Sequence, residues 1–276
     1  MTTRTPPALD APALETGWER HTPADDTILR RGVLALGATW EAVAQPGGGR
    51  CHRDEDVGAV DLGRPTGLFN SAMLLQPVRD DAFGATVGRI ERFYDGRGSG
   101  AALLWCPWPT PDLTPRGWQL QGHPPLLYRP AGLPVARREV EGLAVTEIAT
   151  RAELDEWCTV AVAAFPLEEV EPPTALFDPA VLDDERFRLV AGHVDGRMVA
   201  VGCQVLVDGA NVLLLSTVRG DHRGRGYYAA LVADRLAHAP QLPSVTIVSD
   251  DSRPILVDRF GYLPVTRFTL WERPRP

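Results

Sequence analysis

Three pairs of landmarks in this chain stand 144 positions apart. Leu74 and Val218 each fall at a strand end, Gly117-Trp118 and Gly261-Tyr262 each set a glycine before an aromatic, and Arg129-Pro130 and Arg273-Pro274 each close a strand-like stretch. One offset that aligns a strand end, a turn and a terminus predicts two copies of one fold in tandem. The 276 residues suffice for two modest cores or one large one. Residues 133–142, with Pro134 and a polar run of Arg and Glu, read as the linker between domains 1–132 and 143–276; residues 1–14 read as a loose tail without apolar periodicity.

Periodicity fills in each copy. In the first, Ile28 to Val43 carries helical spacing and stops at Pro46-Gly47-Gly48-Gly49. Val57–Leu62, Leu68–Gln76 and Ala101–Cys106 read as strands, Asp81–Tyr94 as a helix, and Gly117-Trp118 opens a closing strand pair that runs to Arg129. The second copy predicts a β-α-β-β-β-α-β-α-β order, in which Asp195-Gly196 turns a hairpin and Gly261 stops a short helix, Pro254–Phe260, before a last strand from Tyr262 to Glu272. The expected class is therefore α/β (α+β): mixed, mostly antiparallel sheets flanked by helices.

The copies differ where an apolar run gives way to a helix. In the second, Asn211–Val218 leads through Arg219-Gly220-Asp221-His222-Arg223-Gly224-Arg225-Gly226 into Tyr227-Tyr228-Ala229 and an alanine-rich helix. Two glycines let successive N–H groups turn toward one point at a helix N-terminus, an arrangement that suits a pyrophosphate. A turn of this kind also serves as a plain solvated connection. Neither a Walker loop nor a Rossmann fingerprint fits, because no Gly-Lys-Ser/Thr follows and Arg223 or Tyr227 stands where glycine is needed. At the matching point the first copy has Arg79-Asp80-Asp81-Ala82-Phe83-Gly84, with two carboxylates where phosphate would sit.

With Val218, Arg223, Gly224 and Gly226 in register, the stretch resembles motif A of the GNAT acetyltransferases, although Gly220 replaces the usual Pro and Tyr228 a small residue. Leu256-Val257-Asp258-Arg259-Phe260-Gly261-Tyr262 likewise resembles motif B. The chain thus looks like a tandem GNAT protein of the actinobacterial two-domain type with a degenerate first copy. The resemblance implies acetyl-CoA as co-substrate, without a metal. It places pantetheine along Ser216, Thr217 and Val218, phosphates on Arg223, Gly224, Arg225, Gly226, Tyr227, Tyr228 and Ala229, and an oxyanion at a backbone N–H near Val218. The tyrosine that protonates the departing thiolate in many GNAT enzymes falls at Val257, so Tyr228 is the candidate acid.

On the acceptor side, ten carboxylates and no basic residue lie between Ala152 and Glu185. The segment predicts a small cationic amine, with Glu168 or Glu169 as base, or simply a solvated face. A net charge of −8 argues against nucleic acid, and all 28 basic residues are arginine, which leaves no lysine to be acetylated. No apolar run approaches the roughly 18 residues of a membrane span and no signal-peptide core is present, so the chain reads as cytoplasmic. The four scattered cysteines predict neither a zinc site nor a disulfide framework, only buried fillers. Two other classes stay open: a non-catalytic acyl-CoA-binding or sensing protein, and an unrelated phosphate-binding module.

Overall fold

Thr27 opens the first helix, α1 (Ile28–Ala44), by accepting from Arg30 N, and the helix is buried on most of its sides. It is wedged between two sheets. A Cβ at Gly32 would lie 3.2 Å from Leu126 of one sheet, and one at Gly37 2.8 Å from Leu75 beside the other, so both glycines allow close approach. The computed structural model describes residues 16–274 except 65, 96–100, 137, 138, 166 and 168. After α1 come β1 (Arg50–Arg53), β2 (Val57–Asp61), β3 (Ser71–Leu74), α2 (Asp80–Tyr94), β4 (Ala102–Cys106), β5 (Gln119–Gly122) and β6 (Pro125–Arg129). The second half adds β7 (Ala144–Glu147), α3 (Arg151–Ala164), β8 (Phe187–Val194), β9 (Arg197–Val207), β10 (Ala210–Val218), α4 (Tyr227–His238), β11 (Ser244–Ile247), α5 (Arg253–Phe260), β12 (Leu263–Arg267) and β13 (Thr269–Arg273).

The strands form two mixed sheets, β1-β2-β3-β4-β13-β5 and β12-β6-β11-β10-β9-β8-β7, in which, among the described residues, only β3/β4 and β10/β11 run parallel. Each sheet borrows one strand from the other half of the chain. β6 pairs with β11 and β12, while β13 pairs with β4 and β5. The strand pair expected up to Arg129 is therefore not a pair, since β5 and β6 enter different sheets. The last stretch is likewise two strands, separated by Phe268, whose N–H bonds Pro124 O where the chain crosses between sheets. Division of the chain at residues 133–142 cuts across both sheets.

Smaller departures have local causes. Gly67–Phe69 is a 3-10 turn capped by Thr66, so β3 is shorter than the apolar run suggests. β1 is a polar edge strand without apolar alternation, and Cys51 on it is exposed, unlike the buried Cys106, Cys158 and Cys203. One core spans the halves: Leu36, Trp40 and Val43 of α1 pack with Trp157 of α3, Val201 of β9 and Val212 of β10. Separate clusters lie under α2 and under α4 with α5. Among the described residues no helix is long and apolar enough to cross a membrane.

Candidate active site

β10 and β11 pair at Asn211↔Ser244 and Val212↔Val245, and there the ladder ends. Beyond it β10 continues to Val218 while β11 stays with β6, so an open V lies between the parallel strands. A bulge in β10 marks the divergence: its register with β9 shifts between Leu214 and Thr217, and Leu215 takes φ 45°. That backbone is uncommon for a branched residue. Leu214 and Leu215 consequently pack into the same core, on the α1 side of the sheet.

The chain leaves β10 through a short 3-10 turn, Gly220–His222, and reaches α4 by two left-handed glycines, Gly224 at φ 77° and Gly226 at φ 87°. Gly226 is the N-cap and has no side chain to satisfy the first helical amides. The first turn-closing bond is Ala230 N to Gly226 O, so among the described residues the N–H groups from Gly224 to Ala229 have no acceptor. The turn carries Arg219, Arg223 and Arg225, none paired with a carboxylate among the described residues. Arg219 bonds Met198 O, Arg225 bonds Asp221 O, and Arg223 bonds both Val218 O at 3.2 Å and Ala164 O at 3.4 Å. The last pair of bonds ties the end of α3 to the end of β10. Asp221, the acidic residue of the turn, sits 2.8 Å from His222, which holds its carboxyl below the usual carboxylate range.

The structure brings Ser216, Thr217, Val218, Arg223, Gly224, Arg225, Gly226, Tyr227, Tyr228 and Ala229 to this one place. Tyr227 is buried against Val218 and Leu231. Tyr228 packs on the cluster under α4 and α5, and burial pushes its phenol up while the charge of Arg235 counters part of the shift. Val257 is half-buried on α5. Of the two acidic candidates, Glu168 lies outside the described residues; Glu169 is exposed in the turn after α3, between the buried Leu167 and Val170.

The acidic segment has other employment for part of its charge. Glu153 closes a capping box with Thr150, Asp155 pairs with Arg151, Asp178 caps a 3-10 turn, and Asp184 pairs with Arg186. Phe177, in the same segment, is packed between Trp157 and Phe69 and so joins the halves. Glu156, Glu169, Glu171, Asp183 and Glu185 make no ion pair among the described residues. No group of three or more His, Cys, Asp or Glu there is placed to hold a metal ion.

Arg235 is the functional candidate that sequence periodicity passed over. It occupies a core position of α4, one turn after Leu231, and is completely buried. Removal of a guanidinium from water costs several kcal/mol. A basic residue inside an apolar stripe was the available signal.

No protein-family model matches the sequence, and no curated protein matches it. Solved structures do. A GCN5-related N-acetyltransferase from Kribbella flavida aligns over 88% of this chain and 95% of its own, at TM-score 0.65 and 18% identity. A putative GNAT-family acetyltransferase from Novosphingobium aromaticivorans aligns over 91% and 100%, at TM-score 0.56 and 18% identity. A tandem GNAT protein from the clavulanic acid biosynthesis pathway aligns over 80% and 78%, at TM-score 0.50 and 15% identity. This chain has the tandem GNAT fold. In that fold's terms, the V between β10 and β11 lies in the C-terminal copy, and the repeat at 144 positions relates the two copies.

Proposed function

We propose that the C-terminal copy transfers an acyl group, acetyl first, from an acyl-CoA thioester to the nitrogen of a small cationic amine. The observation that carries this reading is the open β10/β11 ladder leading to a helix N-terminus with free amides and an arginine rim. Each part suits a part of the co-substrate. The free amides and the helix dipole fit a pyrophosphate, and Arg219, Arg223 and Arg225 add charge without a carboxylate to neutralise it. The unpaired edge of β10 offers backbone groups to the amides of a pantetheine arm, and a β10 N–H near Val218 suits the oxyanion of the addition step.

For the acceptor, Glu169, Glu171, Asp183 and Glu185 leave negative charge exposed in the segment after α3. Arg223 anchors the start of that segment beside the cleft. Glu169, with Glu168 as its neighbour, is the proposed base for the ammonium proton. A second reading, binding of acyl-CoA without turnover, is favoured by the apolar Val257 on α5.

Calorimetry with acetyl-CoA, followed by thiol release with a panel of amines, tests both readings. One site per chain, preference for CoA over ATP, and fastest release with cationic amines are expected. Binding without release by any amine leaves the second reading, and equal binding of ATP overturns both.

A further inference from the structure

Arg235 meets no carboxylate within ion-pair distance among the described residues. Its Nε donates to Leu231 O at 3.1 Å, Nη1 to Cys203 O at 2.8 Å and Leu214 O at 3.3 Å, and Nη2 to Ser216 Oγ at 2.7 Å. The surroundings are built for it. A Cβ at Gly202 would stand 2.7 Å from the guanidinium carbon, and the buried Gln204 and Asn211 amides both donate to the Arg235 carbonyl, at 3.1 and 3.2 Å. The cation therefore sits fixed beneath the bulge of β10.

Its effect on Ser216 follows from donor and acceptor counting. Arginine offers only donors, so Ser216 Oγ must accept, and its own proton is free for another partner. No described residue takes that proton. Ser216 lies beyond the last β10–β11 pair, half-buried on the α4 face, at the divergence of the strands. A hydroxyl donor backed by a buried positive charge thus borders the V.

We propose that Ser216 and Arg235 form a thiolate-holding pair: Ser216 Oγ–H donates to the sulphur of the CoA thioester, and Arg235 behind it favours negative charge on that sulphur as the acyl group departs. This rests on the acyl-CoA reading above. In the transfer, the amine lone pair forms the C–N bond, the C–S bond breaks, and sulphur keeps the bonding pair while the base takes the ammonium proton. The Ser216 proton remains on oxygen, because a thiol, with a pKa of about 8.5, is a far stronger acid than an alcohol. Sulphur takes a proton from water after release. Ser216 is then a catalytic residue and Arg235 a positioning residue, and a proton donor at Val257 becomes unnecessary.

The groups sharing this field are Tyr228 and Asp234 of α4, Cys203 of β9 and Tyr262 after α5. Asp234 is held by Arg188 at 2.7 Å, and burial keeps the two tyrosines and Cys203 protonated. Neither tyrosine nor Cys203 loses its proton where a thiol ordinarily ionises.

The test compares CoA with desulfo-CoA, in which hydrogen replaces the thiol, by calorimetry on the full chain from about pH 6 to 9. The wild type is expected to prefer CoA, with the preference growing about tenfold across that range as thiolate forms. Ser216→Ala should flatten the rise and Ser216→Thr should keep it. A flat preference in the wild type, or an undiminished rise in Ser216→Ala, overturns the pair but leaves the cofactor cleft in place. Failure of both ligands to bind the wild type overturns the acyl-CoA reading, and this inference with it.

Discussion

In the N-terminal half, β3 and β4 stay paired at Ser71↔Leu103, Ala72↔Leu104 and Met73↔Trp105. The residues 144 positions later, Leu215 to Thr217 and Ile247 to Ser249, are the ones that part in the C-terminal half, where the ladder stops at Val212↔Val245. One fold thus holds a closed and an open version of the same strand pair. Closure in the first is sealed by side chains: Trp105 Nε1 donates to Ser71 Oγ at 3.1 Å, and Ser71 itself donates back to Leu68 O. The helix that follows repeats the contrast. α2 begins with Asp80 and Asp81, which complement its dipole from within, whereas α4 begins with Gly226 and bare amides. The two halves therefore differ by a bulge and a few glycines more than by the sheet itself.

The exchanged strands blur that contrast, and core truncations on them should sharpen it with the largest effects. Leu127 belongs to the N-terminal half by sequence but is buried under α4 and α5; Trp271 is its converse, buried in the first sheet. Leu127→Ala is expected to cost about 2–5 kcal/mol and Trp271→Ala about 3–5 kcal/mol in urea unfolding. Only Leu127→Ala should also weaken acetyl-CoA binding by calorimetry. Equal loss of binding in both variants would show that the halves do not divide along their sheets.

Next in size is the cradle. Gly226→Asp places a side chain at φ 87° and a carboxylate where the free amides converge, and an affinity loss for acetyl-CoA of about a hundredfold, near 2.7 kcal/mol, is expected. Ala82→Asp, at the equivalent place on α2, should leave affinity unchanged. A loss from the second substitution would mean that the closed half contributes to binding after all.

Much of this was legible beforehand, for physical reasons. Gly224 and Gly226 announce positive φ, and the 144-residue offset announces two copies, because turn chemistry is local. The exchange is not local. β6 and β13 are equivalent strands competing for equivalent slots, and their apolar patterns fit either sheet. The bulge was hidden for another reason: Leu213, Leu214 and Leu215 read as one buried run, and no glycine marks the residue that turns. Arg235 was passed over because a strong helix former on a helix draws no notice until its face is known.

A smaller effect is expected where polar ties, rather than the shared core, join the halves. Arg186 donates to Asp184 and also to Gln45 Oε1 at the end of α1. Its hydrogen bonds hold the Asp184 carboxyl below the usual carboxylate range. A carboxylate whose folded pKa is depressed contributes stability above its unfolded pKa, about 3.9, and loses it as pH falls through the folded value. Asp184→Asn should therefore cost under about 1 kcal/mol at neutral pH, given the partial exposure of the pair. Wild-type and variant stabilities should converge as pH falls through the depressed folded value. A loss several times larger would mean that this tie, and not the packing of α1 and Phe177, keeps the open half docked.

The smallest effect separates the two candidates for handling the thiolate. Tyr228 fills the place that is small in motif A, and its phenol is largely buried where α4 meets α5. Loss of that hydroxyl in Tyr228→Phe should raise KM for acetyl-CoA by at most about two- to threefold, the low end for one neutral hydrogen bond. The pH profile of kcat cannot decide the matter. Burial lifts the phenol above its ordinary value near 10, so an acid at this position would stay protonated across any practical assay range and show no alkaline limb. The ratio of kcat values decides it instead. A phenol that protonates the leaving sulphur should be worth at least about a hundredfold in kcat, the low end for acid catalysis. A fall of that size in Tyr228→Phe, with kcat intact in Ser216→Ala, would give the role to Tyr228. The expected pattern is kcat intact in Tyr228→Phe and lowered in Ser216→Ala, because Ser216 has a free proton at the point where the strands part.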